Sequence, residues 1–392
     1  MMFFRKKMTS MSLMLVATFL MTACSNKNNS TTEVLDESGD NKTKIALLIQ
    51  DESENRTNFD VAESIIASKE YQREKMDNSN VDIKLFKLPK KYDENEKEVS
   101  NIFADIENDK DINVLVASSN EDGLAKYVKA LKGKRKDILT ISANLADNDE
   151  ELINTFDLNF KNMNVNKAKR VVDFSKSLGA ETFCYFVDGE QKNDKKIEET
   201  IELMKKTATE NSMPIVEIVV PDNLDRYGKK MFVSNKIDEL IIEKGKEINI
   251  FAFNQDYDDI LLSKVIKNGI YISEFSSPNI DKKMLNYFGI GHLSRNSEDY
   301  GWMNTQIINY LGKYGIERHI GSMGALQDPF VLQFAIELGI SMNAKEQEVS
   351  KAYNSYYLEK VSNTRCNISS GFINKKSGVG NFKYVIPDQI SY

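Results

Sequence analysis

From Lys44 onward, short apolar runs alternate with stretches of helical periodicity, and this alternation constrains the fold more than any other feature. "KIALLIQ" (44–50), "VDIKLFKL" (81–88), "INVLVAS" (112–118) and "DILTISA" (137–143) have strand length. Helical stretches at 57–76, 93–107 and 120–132 separate them; in the first, Phe59, Ala62, Ile65, Ile66 and Lys69 recur at three- and four-residue spacing. The second half repeats the pattern, with helices expected at 164–178, 193–211, 229–244 and 256–267. Its strand runs are "ETFCYFV" (181–187), "PIVEIVV" (214–220), "INIFAFN" (248–254) and "IYIS" (270–273). Near-continuous apolar runs suit strands buried on both faces, and the alternation predicts α/β architecture with two Rossmann-like parallel-sheet lobes. "LKGKRKDILTI", "SLGAETFCYF", "EKGKEINIFAF" and "KNGIYIS" each place a glycine shortly before a strand. Glycine accepts the left-handed conformation that ends a helix, so each is expected to be a helix stop. The two halves meet near "FDLNFKNMN" (156–164).

The N-terminus follows a different logic. Arg5, Lys6 and Lys7 precede an uncharged stretch, Met8 to Ala23, too short for the roughly 20 residues of a membrane-spanning helix. A basic start, a short apolar core and the small residues Thr22 and Ala23 read as a signal peptide over 1–23. Cys24 follows at once, and the segment resembles a bacterial lipoprotein signal, although Met21 stands where Leu or Val is commoner. That resemblance implies lipid on Cys24, a membrane anchor and a location on the extracytoplasmic face of the cell membrane. Residues 24–43 are polar enough to form a flexible tether.

Net charge narrows the partners. The chain carries 52 basic and 59 acidic residues, net −7. Without residues 1–23 it loses three cations and no anion, leaving 49 against 59, net −10. This is a poor footprint for nucleic acid, whose binding rests on neutralised phosphates.

"KIALLIQDESEN", "DKDINVLVASSNEDGLAKYVKAL", "SLGAETFCYF" and "NIFAFNQDYDDILLSKVIKNGIYIS" carry a wider resemblance. The order of elements from about Lys44 to Gly339 resembles the type I periplasmic solute-binding fold, shared with the sensing domains of lactose-repressor-type regulators. More narrowly, the chain is similar to a poorly characterised family of bacterial lipoproteins with that fold. The resemblance implies three crossings between lobes, expected near 159–161, 289–292 and 319–325. The helix at 299–315 would then return to the first lobe. The expected first lobe is 44–160 with 291–325, and the second is 161–290 with 326–392; the tail from 343 has no clear pattern. The resemblance also implies a small-molecule ligand between the lobes and possible delivery to an ABC-type transporter or a sensor. The alternative is the ligand-sensing domain of a transcriptional regulator, which the N-terminal signal disfavours.

In open parallel sheets, ligands sit beyond the carboxyl ends of strands, where the strand order reverses. This rule selects Asp51, Glu52, Ser53, Ser118, Ser119, Asn120 and Asn144 in the first half, and Asp188, Asn254, Asp256 and Glu274 in the second. Ser53, Ser119 and Asp256 also sit where helix N-caps are expected, and capping is the competing role. These loops are rich in carboxylates, with Arg56 as almost the only cation, so an uncharged or cationic ligand is favoured over an anion.

Catalytic chemistry finds little support. His292 and His319 are the only histidines, and G-x-S-x-G is absent, so neither a cofactor nor a metal site nor an enzyme is expected. Cys184 inside "FCYF" and Trp302 read as core packing, while Cys366 beside Arg365 reads as a possible exposed thiol.

Overall fold

The computed structural model describes residues 42–76, 80–163, 166–277, 280–291 and 300–392. The signal segment, Cys24, most of the tether and His292 lie outside the described residues.

The uninterrupted apolar run at the start forms β1 (Thr43–Gln50), buried at every position but Lys44. Such a strand needs neighbours on both edges. It pairs in parallel with β2 (Val81–Leu88), reached through α1 (Arg56–Met76), and with β3 (Val114–Ser118), reached through α2 (Glu96–Asn108). Next come α3 (Ala125–Lys134), β4 (Leu139–Ala143), α4 (Asp149–Thr155) and β5 (Leu158–Asn162), the last two strands again parallel.

The chain then enters a second lobe through α5 (Lys167–Leu178), which leads to β6 (Thr182–Asp188), the short α6 (Gly189–Lys192) and α7 (Lys195–Glu210). After these, β7 (Ile215–Val220), α8 (Arg226–Lys244), β8 (Ile248–Ala252) and α9 (Asp258–Asn268) follow in turn. Here β6 lies between β7 and β8 in a parallel sheet. Parallel bridges from Asn249 to Tyr271 and from Ile272 to Ile320 extend that sheet towards β9 (Gly321–Met323), past α10 (Ile280–Tyr287) and α11 (Tyr300–Gly312). Both lobes thus place their first strand between the second and third, the order that creates a switch point. The expected α/β class with parallel sheets holds.

The division between lobes differs from the expected one. Residues 300–323 stay with the second lobe, because Ile320 and Gly321 join Ile272 and α11 packs on α10. Beyond them, α12 (Gln327–Ala344) crosses back and packs against β1, β3, β4 and β5. Its sequence "FVLQFAIELGISM" is apolar on all sides, and Phe330 to Met342 is buried almost throughout. A helix without a polar face belongs inside, and this one is covered by α1 and by α13 (Ser355–Val361). Gly339 permits the close approach, since a Cβ there would lie 2.8 Å from the Val114 side chain. The one buried charge on this helix, Glu337, is held between Lys69 (2.9 Å) and Arg365 (3.1 Å).

The tail is ordered, not irregular. β10 (Ser370–Asn374) and β11 (Phe382–Pro387) form an antiparallel pair, and β11 adds in parallel to β5, so the first sheet runs β10-β11-β5-β4-β3-β1-β2. β12 (Gln389–Ser391) then returns to pair with β9. The three crossings therefore fall between β5 and α5, between β9 and α12, and at Asp388. They bond to one another: Gln327 Nε2 donates to the Met163 carbonyl (3.3 Å) and the Gly324 N–H to the Asp388 carbonyl (2.9 Å).

Glycine stops are confirmed at Gly179 and Gly269, both left-handed at helix ends, and Gly245 also has positive φ. Gly133 instead sits inside the last turn of α3, with Arg135 as the cap. Cys184 is a buried free thiol as expected, and Cys366 is buried too, not exposed. Trp302 packs against the core. No described helix is long and apolar enough to cross a membrane.

Candidate functional site

A cleft of about 540 Å³ opens between the lobes, and the hinges form its floor. The first lobe contributes the loop after β1 and the start of α1, including Thr57 and Asn58, and Asn120 after β3. The second contributes Lys167 and Arg170 from α5 and the segment Glu274–Ser277, while Ser322 and Asp328 mark the crossing between β9 and α12.

Each wall is built by local chemistry. Asn55 accepts the Asn58 N–H at the start of α1 (3.2 Å), turning Asn58 under the loop. Asn58 is 4% exposed, and its Nδ2 donates to Ser118 Oγ (3.2 Å) while its Oδ1 has no partner among the described residues. On the opposite wall Asn166 caps α5 by accepting the Ala168 N–H (3.0 Å). Lys167 and Arg170 then fill the first turn, where the helix dipole disfavours cations. Glu274 compensates: it accepts from Arg170 Nε (2.8 Å) and Nη2 (2.9 Å), and Lys167 Nζ lies 3.4 Å away. Fork-to-fork pairing of this kind fixes both side chains.

Among the described residues, two carboxylates at the floor have no basic partner. Asp328, in the first turn of α12, is exposed in the cleft and accepts from Asn144 Nδ2 (3.3 Å) and from Asn162 Nδ2. Surrounding protein nonetheless holds its carboxyl above the usual carboxylate range. Asp281, in the first turn of α10, is 7% exposed. Its Oδ1 lies 2.6 Å from the Tyr392 hydroxyl, which is also 2.8 Å from Asn304 Oδ1, so one proton serves two acceptors. Burial pushes the Asp281 carboxyl up to about 6, although Tyr392 and Ser322 oppose the shift.

Of the residues singled out in the sequence, Asn120 and Glu274 line the cleft. Ser118 and Asn144 stand directly behind it, holding Asn58 and Asp328. The others are engaged elsewhere. Asp51 accepts the Ser53 N–H (3.2 Å), which holds its carboxyl below the usual range, and Glu52 pairs with Arg56 (3.0 Å). Ser119 bonds the Tyr92 hydroxyl (2.5 Å) and the Glu121 N–H (2.9 Å). Asp188 is buried among Tyr257 (2.6 Å), Asn254 (3.1 Å) and Lys229 (3.2 Å). Arg226 grips Asp256 with two bonds of 2.8 Å and holds its carboxyl below the usual range. The expected cap roles also move: Asn55 serves α1 in place of Ser53, and Asn254, not Asp256, accepts the N–H at the turn before α9.

The expectation of a nearly cation-free cleft is corrected. Arg56 is outside the cleft lining, and among the described residues Lys167 and Arg170 are the cations within it. A signal for both existed in "NKAKR", a basic first turn directly after an N-cap asparagine. Asn58, Asp281 and Asp328 carried no comparable signal, because each is placed by a crossing or a turn that periodicity does not reveal. His319 stacks on Tyr271 (4.6 Å) and bonds the Gly269 carbonyl (3.0 Å), a packing role. Among the described residues no group of three His, Cys, Asp or Glu side chains is arranged to hold a metal.

A second cavity, of about 460 Å³, lies at the amino ends of β1, β3 and β4. It is at the wrong end of the sheet for a switch-point ligand, and its Lys132–Asp157 and Asn343–Thr43 groups already bond each other.

The fold is shared with a solved structure. A candidate transcriptional regulator from Clostridium difficile 630 is 24% identical, with a TM-score of 0.68 over 90% of this chain and 99% of that one. That similarity speaks to fold alone. A sugar ABC transporter protein from Actinomyces odontolyticus is 11% identical, with a TM-score of 0.42 over 89% of this chain and 95% of that one. An ABC transporter periplasmic solute-binding protein from Actinobacillus succinogenes 130z, with bound D-allose, is 13% identical, with a TM-score of 0.34 over 78% and 93%. Both superpose too loosely to carry an argument. No curated protein sequence matches the chain. The family model described as "Protein of unknown function (DUF3798)" matches residues 43–321, so the chain belongs to that family.

Proposed function

We propose that this protein binds a small polar solute in the interlobe cleft, closing its lobes over it, and presents it to a membrane transporter or sensor. The observation that carries this reading is the cleft itself. Its volume suits a metabolite-sized ligand, its walls come from both lobes, and hydrogen-bonding groups converge on it among apolar ones such as Phe275 and Leu326. Hinges that bond to one another but contain single-strand crossings are suited to such closure. Uncharged and cationic solutes fit the floor better than anions. Lipid on Cys24, after removal of residues 1–23, would hold the protein on the extracytoplasmic face of the cell membrane.

Two experiments test this. In a thermal-shift screen against sugars, nucleosides, amino acids and polyamines, a ligand at 100 times its Kd stabilises a fold by about 2.7 kcal/mol. Failure of every class to raise the melting temperature would contradict solute binding. Cys24→Ala is expected to leave the protein unprocessed or released from membranes; an unmodified native N-terminus in the cytosol would contradict the anchor and favour a regulator.

A further inference from the structure

Resting on the reading of the cleft as a solute site, we infer that its ligand presents a cationic nitrogen to Asp281 and Asp328 at the cleft floor. The charges divide unevenly between the walls. Glu54 pairs with Lys90 (3.0 Å), and Glu274 takes both bonds of the Arg170 fork, so each already has a cationic partner. Lys167 is shared between Glu274 and the Phe275 carbonyl (3.3 Å). Among the described residues Asp281 and Asp328 have only hydroxyl and amide partners: Tyr392 for one, Asn144 and Asn162 for the other. A buried carboxylate with no bonded cation, as Asp281 is among the described residues, is costly to keep charged, and an incoming ammonium or guanidinium would relieve that cost while taking the exposed Asp328 as a second acceptor.

An independent group points the same way. Asn58, nine-tenths buried in the opposite wall, carries a buried acceptor oxygen with no partner among the described residues. A protonated amine has only donors, so it matches a cleft whose uncommitted groups are acceptors. An anion would leave all three unsatisfied.

The test is titration calorimetry of the purified protein with putrescine, ornithine, 1,4-butanediol and succinate. Putrescine and butanediol share a four-carbon chain and differ in ammonium against hydroxyl ends. The expected result is saturable binding of putrescine or ornithine, weakened at least tenfold in Asp328→Asn and in Asp281→Asn, with neither butanediol nor succinate bound. Asp328→Asn keeps the test valid if Asp281→Asn fails to fold. Binding of butanediol or succinate alone would overturn the cationic assignment and leave the cleft as a site for another solute. Cation binding equal in wild type and both variants would overturn it as well. No binding of any of the four would overturn this inference, while the thermal-shift screen separately decides whether the cleft binds a solute at all.

Discussion

Two strand-end regions occupy equivalent places in the two lobes and have different fates. After β6 and β8 in the second lobe, Asp188, Asn254 and Tyr257 close on one another, with Lys229 from α8 completing the charge balance. After β1 and β3 in the first lobe, Asn58 and Asn120 line the cleft, and Asn58 has a buried acceptor with no partner among the described residues. The switch-point rule locates a region; it does not say whether that region's polar groups are already satisfied. What decides is whether a neighbouring helix supplies partners. α8 sends Arg226 and Lys229 to the strand ends of its lobe, whereas the Asn58 side chain has Ser118 alone among the described residues.

The contrast breaks most visibly at Asp188. Asp188→Ala takes the shared acceptor from the Tyr257 hydroxyl and Asn254 Nδ2, while Lys229 keeps Glu190 and Asp222, and it is expected to lower stability by about 2 kcal/mol, read from urea unfolding. Ligand affinity of the folded fraction should change little. A large loss of affinity at full stability would make the second-lobe network a ligand site after all.

Asp281→Asn should move stability the other way. A carboxyl whose folded pKa is raised, here to about 6 from 3.8, binds protons more tightly when folded than unfolded. Its effect is therefore to lower stability as pH rises from about 4 to 6, with the full penalty present above that window. The Asn variant should be more stable than wild type at pH 7.5 by about 1–2 kcal/mol, a difference vanishing near pH 4. A variant less stable than wild type at pH 7.5 would show the carboxylate to be structural.

Asn58→Ala is expected to cost about 1 kcal/mol of stability, because Ser118 loses its partner, and proportionately more in binding. Asp256→Ala removes a pair whose arginine is 75% exposed and should alter stability by less than about 0.5 kcal/mol.

Much of the fold was legible because buried parallel strands write themselves as apolar runs: "KIALLIQ" is β1 from Lys44 to its end, buried at every position after the first. Glycine at helix ends was legible for the same physical reason, since Gly179 and Gly269 need positive φ. The lobe assignment of α12 was misread even though its all-round apolarity marks it as central, because chain order alone suggested otherwise. β5 and β11 were missed: "LNFKN" and "FKYVIP" interleave polar residues, and their pairing joins positions more than 200 apart in sequence. The site was less legible than the fold, since burial in the folded state, not residue type, separates Asp281 from Asp256.

The measurement that bears most directly on the central claim is calorimetric titration of the best solute from the thermal-shift screen into wild type, Thr57→Trp and Asp188→Asn. Thr57 lines the cleft and is exposed, so the indole would occupy the ligand's space without disturbing the core. The expected result is no detectable binding to Thr57→Trp and an affinity within about threefold of wild type for Asp188→Asn, the energy of a contact made only indirectly. Undiminished binding to Thr57→Trp would place the solute outside the interlobe cleft and contradict the account.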